Sequence, residues 1–345
     1  MSEETRLRRV FMALVDWRRR DALAKCLGND LQCGAAVIRS HSIQCGFILK
    51  QLSADGHVYV FEHELDGVVR LTRKGIRRAS TFSGFCAAHD QSIFRRIDFS
   101  NERTFDSESV EQILLLSLRA ISREFWAKLN NQASLRRLAD LTRQRDVAGI
   151  MALFNCDDSV ARTVILRASD IGLFREGTTW STERTRRSFF SLSRQLENQK
   201  YHLTVRQVFE FPNRTGFAAA SGTTPLYDLH GKEINSLGHD RDAADLVLNA
   251  FPSNGSQWVV VTYHQRHANR LAPFLNQLIA LPREEREIAI SKFVVMNIEN
   301  LALAPALVNE LTPEKRQEVE SAFQRTILDN ETFTQFPEVN LFIKA

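Results

Sequence analysis

Six residues in the first hundred positions have the types and spacing to do chemistry: Cys26, Cys33, His41, Cys86, His89 and Asp90. They read Cys-x6-Cys-x7-His and then, after a gap, Phe-Cys-x2-His-Asp. Zinc takes four sulfur or nitrogen ligands in a tetrahedron, and structural sites are closed by Cys and His. Cys86-x2-His89 makes a tight knuckle that offers two ligands from one turn. Cys26 and Cys33 offer two more from a looser loop, with Cys45 as an alternative to Cys33. A structural Zn2+ held by Cys26, Cys33, Cys86 and His89 is the expectation, set against a chance gathering of unrelated residues. Cys156 reads as an ordinary buried thiol.

The residues around these positions carry a resemblance. Ser40-His41-Ser42-Ile43-Gln44, Gly56-His57-Val58 and Ala79-Ser-Thr-Phe-Ser-Gly-Phe-Cys86-Ala-Ala-His89-Asp90 resemble a family of uncharacterised bacterial proteins sharing SH-(S/T)-I-Q, GHV and ASTF-x-GFC-x2-HD. The same stretch, about 26–98, is more distantly similar to the treble-clef finger of HNH endonucleases. That resemblance implies zinc on Cys26, Cys33, Cys86 and His89, with His41 as the general base that deprotonates a water. It also implies Asp90, with His57 as a loose substitute ligand, beside a catalytic Mg2+ or Mn2+. Ser40 stands where the HNH pattern has an Asp or His, and no Asn precedes the knuckle. His41 has two plainer readings: a fourth zinc ligand, or a histidine bonded to a backbone carbonyl.

Arg70, Arg73, Lys74, Arg77 and Arg78 lie just before the knuckle. On a loop they would grip successive phosphates; the alternative is a solvated charged face. The charge distribution leans the same way. Residues 1–100 hold 16 Lys/Arg against 11 Asp/Glu, residues 101–200 hold 16 against 13, and the remainder 13 against 17. The basic excess therefore sits with the finger and favours a nucleic-acid partner, DNA ahead of RNA. Five cysteines in 345 residues do not make a disulfide scaffold. No apolar run approaches the length of a membrane span and the N-terminus carries no apolar leader, so the expectation is a cytoplasmic protein without a membrane partner.

These residues need elements to position them, and the patterning points to an α+β fold in several parts. A helix is expected at 1–25, where Leu7, Val10, Phe11, Leu14 and Trp17 make one apolar stripe. The treble-clef-like zinc finger follows at 26–100, with a strand at 56–61. A helical region at 101–200 begins with Val110, Leu114, Leu118, Ile121, Phe125 and Leu129, and reads as a spacer or bundle; its long amphipathic helices permit a homodimer. A mixed α+β domain of open role fills 201–345. Its clearest strand is Trp258–Tyr263, and Thr312-Pro313-Glu314 starts a helix. His264 and His267, three apart at a strand end, read as a weak metal pair. No phosphate-cradling or dinucleotide-binding glycine motif is present.

The leading expectation is a zinc-binding, HNH-like protein that contacts nucleic acid and can cut it through His41. The alternative is a non-catalytic protein in which zinc only staples a small module.

Overall fold

A computed structural model describes residues 23–28, 31–63, 68–100, 102–236, 242–328 and 332–345. Of the helix expected at 1–25, residues up to 22 lie outside the described residues, and residues 23–25 are not helical. The protein is α+β, about 49% helix and 22% strand.

Strands β2 (His57–His63), β3 (Val69–Gly75), β5 (Thr204–Pro212), β7 (Phe217–Thr223), β8 (Leu246–Ser253), β9 (Ser256–His264) and β10 (Leu301–Leu303) form one antiparallel sheet. Their order is β3-β2-β10-β7-β8-β9-β5. Strand β8 is buried at every position and β9 at all but two, which explains their runs of Val, Leu and Ala without alternation. Two smaller pairs stand apart from the large sheet. Strand β1 (Val37–His41) pairs with β4 (Thr81–Cys86), and β6 (Arg214–Thr215) pairs with β11 (Ile343–Lys344).

Helix α1 (Ala87–Phe94) follows β4 directly. Helix α2 (Val110–Arg143) starts at Ser109, whose hydroxyl accepts from the Gln112 N–H at 3.3 Å. Its first half is a core element and no spacer. Ile113, Leu114, Leu118, Ile121 and Phe125 are all buried and pack toward β7 and β8. Gly222 in β7 allows that approach, since a Cβ there would meet Ile121 Cδ1 at 2.4 Å. The second half of α2 gathers α3 (Val147–Phe154) and α4 (Asp158–Leu166) around a separate small core of Leu138, Ile150, Leu153, Phe154 and Val164. Helix α5 (Ala168–Glu197) returns along α2.

Helices α6 (Ala268–Ala280), α7 (Arg283–Asn297), α8 (Pro305–Glu310) and α9 (Pro313–Leu328) complete the fold. Thr312 starts α9 as its sequence predicts, its hydroxyl accepting from the Lys315 N–H at 3.2 Å. Helix α9 covers the free edge of β3. The Leu71 N–H donates to Glu320 Oε1 at 2.8 Å, the Val69 N–H donates to Gln324 Oε1 at 3.3 Å, and Arg316 donates to the Leu71 carbonyl. Polar side chains thus satisfy an edge that would otherwise template pairing with another chain.

Two expectations change here. The segment around Arg70, Arg73 and Lys74 is edge strand β3, where a loop was expected. Alternation along a strand turns neighbouring side chains to opposite faces, so these cations do not form one row. The boundary expected near residue 100 does not separate two cores either. The β2–β3 hairpin joins the sheet built from residues after 200, and one continuous core runs from Cys26 to Phe342.

Candidate metal centre and the clefts around it

Cys26 lies in an extended segment fixed at both ends. The Leu23 N–H donates to Asn130 Oδ1 at 2.9 Å, the Trp126 indole donates to the Leu23 carbonyl at 2.7 Å, and the Leu27 N–H donates to the Gly84 carbonyl at 2.8 Å. Cys86 closes β4 and forms the N-cap of α1, and His89 follows within the first turn. Residues three apart in that turn share a face, so both ligand atoms point back toward Cys26. Cys33 enters from the loop before β1.

The four ligand atoms lie within 4.8 Å of one another. Nδ1 of His89 is 3.4 Å from Cys26 Sγ and 3.3 Å from Cys86 Sγ, and the sulfurs of Cys33 and Cys86 are 4.0 Å apart. Zinc–sulfur and zinc–nitrogen bonds of about 2.3 and 2.05 Å give tetrahedral edges of about 3.8 Å for S···S and about 3.6 Å for S···N. These three edges match within a few tenths of an ångström, and the cluster is compatible with a structural zinc. The Cys86 N–H donates to Cys26 Sγ at 3.3 Å, an arrangement that favours a thiolate. The Cys86 thiol is pulled down to about 7, first by the backbone hydrogen bond from His89, while burial pushes Cys26 up. Cys45 is elsewhere, with its thiol 3.5 Å from the Ile76 carbonyl.

His41 ends β1 outside this cluster. Its Nδ1 is 3.1 Å from the Ala79 carbonyl, so it carries the proton there and leaves Nε2 with the free lone pair. Burial first, and then the Arg119 charge, hold it below its ordinary pKa; the Asp90 charge works the other way. Arg119 is buried, lies over the Phe94 ring at 4.5 Å and reaches Asp98 at 3.0 Å. His57 starts β2 and turns its Nδ1 to the Asp55 carbonyl at 2.7 Å. Among the described residues, Cys26, Cys33, Cys86 and His89 are the only group of three or more Cys, His, Asp or Glu side chains close enough to share an ion. The expected second set of His41, Asp90 and His57 is therefore not assembled. The reason lies in topology: His57 belongs to the large sheet, while His41 and Asp90 belong to the β1–β4–α1 unit.

The cations at 70–78 are divided. Arg73 faces Asp55 at 3.6 Å and Lys74 pairs with Glu62. Arg77 and Arg78 are exposed on the turn before β4.

A polar cleft beside that turn has no direct counterpart in the sequence motifs. Strands β2 and β10 pair only at Leu303 and Tyr59, and beyond that pair a cavity of about 260 Å³ opens between them. Arg78, Arg123, Glu299 and Asn300 line it. Glu299 opens onto the cleft but is crowded by protein behind. Burial, and then the Glu124 charge, push its carboxyl up. Glu124 takes hydrogen bonds from Arg123 and from Ser221, each at 2.8 Å. Nearby, Lys128 donates to Thr185 Oγ1 at 3.0 Å, and burial pushes its amine down. The sequence signal for it was Arg123, Glu124 and Lys128, which follow the apolar first turns of α2.

Comparison with known proteins finds no family model, no curated protein and no solved structure that matches the chain. Among the described residues, no helix is long and apolar enough to cross a membrane.

Proposed function

We propose that this is a zinc-stabilised, nucleic-acid-interacting protein whose residues 26–41 and 81–94 form a treble-clef-like unit of HNH type. The observation that carries the reading is the Cys3His cluster on a loop, a two-stranded ladder and the first turn of a helix. Cys26, Cys33, Cys86 and His89 would hold the ion, which supplies folding energy to a small hairpin. Five free thiols with three in this cluster favour the cytoplasm, where thiolates persist.

A hydrolytic form of the reading has one observation behind it. His41 is anchored through Nδ1 to a main-chain carbonyl, which leaves a neutral Nε2 able to accept a proton from water. The non-catalytic form has another behind it, the lack of a second ion-binding group among the described residues. We favour binding over cleavage on that ground.

The test has three readouts on one preparation: zinc content, anisotropy of labelled duplex DNA and RNA, and plasmid cleavage with Mg2+ or Mn2+. Wild type is expected to hold one zinc per chain and to bind DNA with a steep loss of affinity as salt rises. Metal-dependent cutting that disappears in His41→Ala would restore the endonuclease reading. Zinc-free protein that is fully folded would remove the staple.

A further inference from the structure

The last three turns of α5 and the segment between α5 and β5 line a groove of about 500 Å³, inside the range of roughly 300–1,000 Å³ used by small-molecule sites. Arg187 and Arg194 line it from one face of α5, Lys200 and His202 from the turn after the helix, and Arg266 from the opposite wall. The walls are tied together where the Gln265 N–H donates to the Leu203 carbonyl at 2.8 Å. Among the described residues, no Asp or Glu lines the groove. Asp242 partly neutralises Arg187 at 3.4 Å and Arg266 at 3.6 Å. Arg194 and Lys200 are exposed and have no ion pair among the described residues.

Cations near a helix C-terminus are favoured by the helix dipole, but that effect fades within the last turn. Arg187 lies nearly three turns before Glu197, and Arg266 belongs to another element. The dipole therefore does not account for the convergence. An apolar surface lies among the cations. Phe190 lines the groove with Arg186 over its ring at 5.2 Å, and Leu203 is 36% exposed at the rim. A bare inorganic anion has no use for that surface, whereas a planar base stacks on aromatic and guanidinium planes.

We infer that this groove binds a nucleotide, with the phosphate on Arg187, Arg194, Lys200 and Arg266 and the base against Phe190 and Leu203. A free nucleotide and a nucleotide within a single strand present the same chemistry. Where it belongs to a strand, the inference rests on the nucleic-acid reading above.

The test is titration of the zinc-loaded full chain with ATP, AMP, inorganic phosphate and a fluorescein-labelled single-stranded oligothymidine. Arg194→Gln/Lys200→Gln is expected to weaken nucleotide or oligonucleotide binding at least tenfold and to flatten its salt dependence. Phe190→Leu is expected to weaken the nucleotide probes without changing phosphate binding. Both exposed cations can be replaced without disturbing the core, so a melting curve that matches wild type validates the comparison. Binding of ATP and AMP assigns a free nucleotide; binding of the oligonucleotide alone assigns a strand. Equal binding by wild type and the double variant, no saturable binding of any probe, or phosphate binding as tightly as AMP would each overturn the proposal. Cys86→Ser separates the two readings: groove binding survives loss of zinc, so failure of the metal centre leaves this result standing.

Discussion

A Cβ atom on Gly28 would lie 2.4 Å from Cγ and 2.6 Å from Nδ1 of His89. The main chain between Cys26 and Cys33 thus passes directly against the imidazole that completes the cluster, and only a residue without a side chain fits. Gly28→Ala is expected to push His89 off the ion and weaken zinc binding at least tenfold in competition with a chelator. Gly34→Ala is the control, since nothing lies within 4 Å of a Cβ there. Equal zinc affinity in both variants would mean that His89 does not ligate from this position.

The Arg184 guanidinium reaches both carboxylate oxygens of Asp245, at 3.0 and 3.1 Å, and Thr224 Oγ1 at 3.2 Å. Both side chains are largely buried. Arg184→Met strands a buried carboxylate and is expected to cost about 3–5 kcal/mol in urea denaturation. The Arg184→Met/Asp245→Leu double variant is expected to recover much of that loss. If the single variant costs as little as a surface pair, the carboxylate must have found solvent.

Two histidines beside the groove point to a pH dependence. The Arg266 N–H donates to His264 Nδ1 at 3.1 Å, and its Nε donates to His267 Nε2 at 3.0 Å. Neither nitrogen can accept once protonated. Burial first, and then the Arg266 charge, hold both rings below their ordinary 6.5, with Asp242 opposing. Below about 6.5 the unfolded chain therefore binds more protons than the folded one, and stability falls as pH falls. The contribution is complete above that value. Thermal melts between about pH 7.5 and 5.5 are expected to drop, and His267→Gln, which can still accept from Arg266, is expected to reduce the slope. Zinc content must be followed alongside, because acid also releases the metal.

Gly216 has φ +136°, and a Cβ on it would sit 2.1 Å from the Leu341 carbonyl oxygen. Gly216→Ala is expected to cost about 2 kcal/mol or more. It would also loosen the C-terminal segment that Ser291 holds by accepting from the Leu341 N–H at 2.9 Å. Limited proteolysis read by mass is expected to clip the variant first near its C-terminus.

The ligand cluster was legible because Cys and His spacing reports local geometry: Cys86-x2-His89 fixes two ligands on one turn whatever surrounds it. Strand β9 was legible for a similar reason, since a Trp-Val-Val-Val-Thr-Tyr run suits only a buried strand. Strand β3 was not. Its Arg and Lys disfavour a strand locally, and it forms because β2 supplies Glu62 across the pair and α9 supplies Glu320 and Gln324 to its edge. The spacer reading of α2 failed because periodicity reveals an apolar face without saying what covers it. Glu299 and Arg78 are 221 positions apart in sequence, and only the sheet topology brings them to one cleft.

The strand order places β10 between β2 and β7, so the inner edge of an early hairpin waits for a partner that is translated last. Leu301 follows Gly75 by about 230 residues, which at roughly 5–20 residues per second is on the order of 10–50 s of synthesis. A hairpin can form in about 1–10 μs, but two strands alone are marginally stable, so β2–β3 gains lasting stability only once β10 and α9 have been made. A metal taken up by the cluster would need ligands only as far as His89. On the ribosome, the early hairpin is therefore transient until β10 and α9 emerge to cover its two edges.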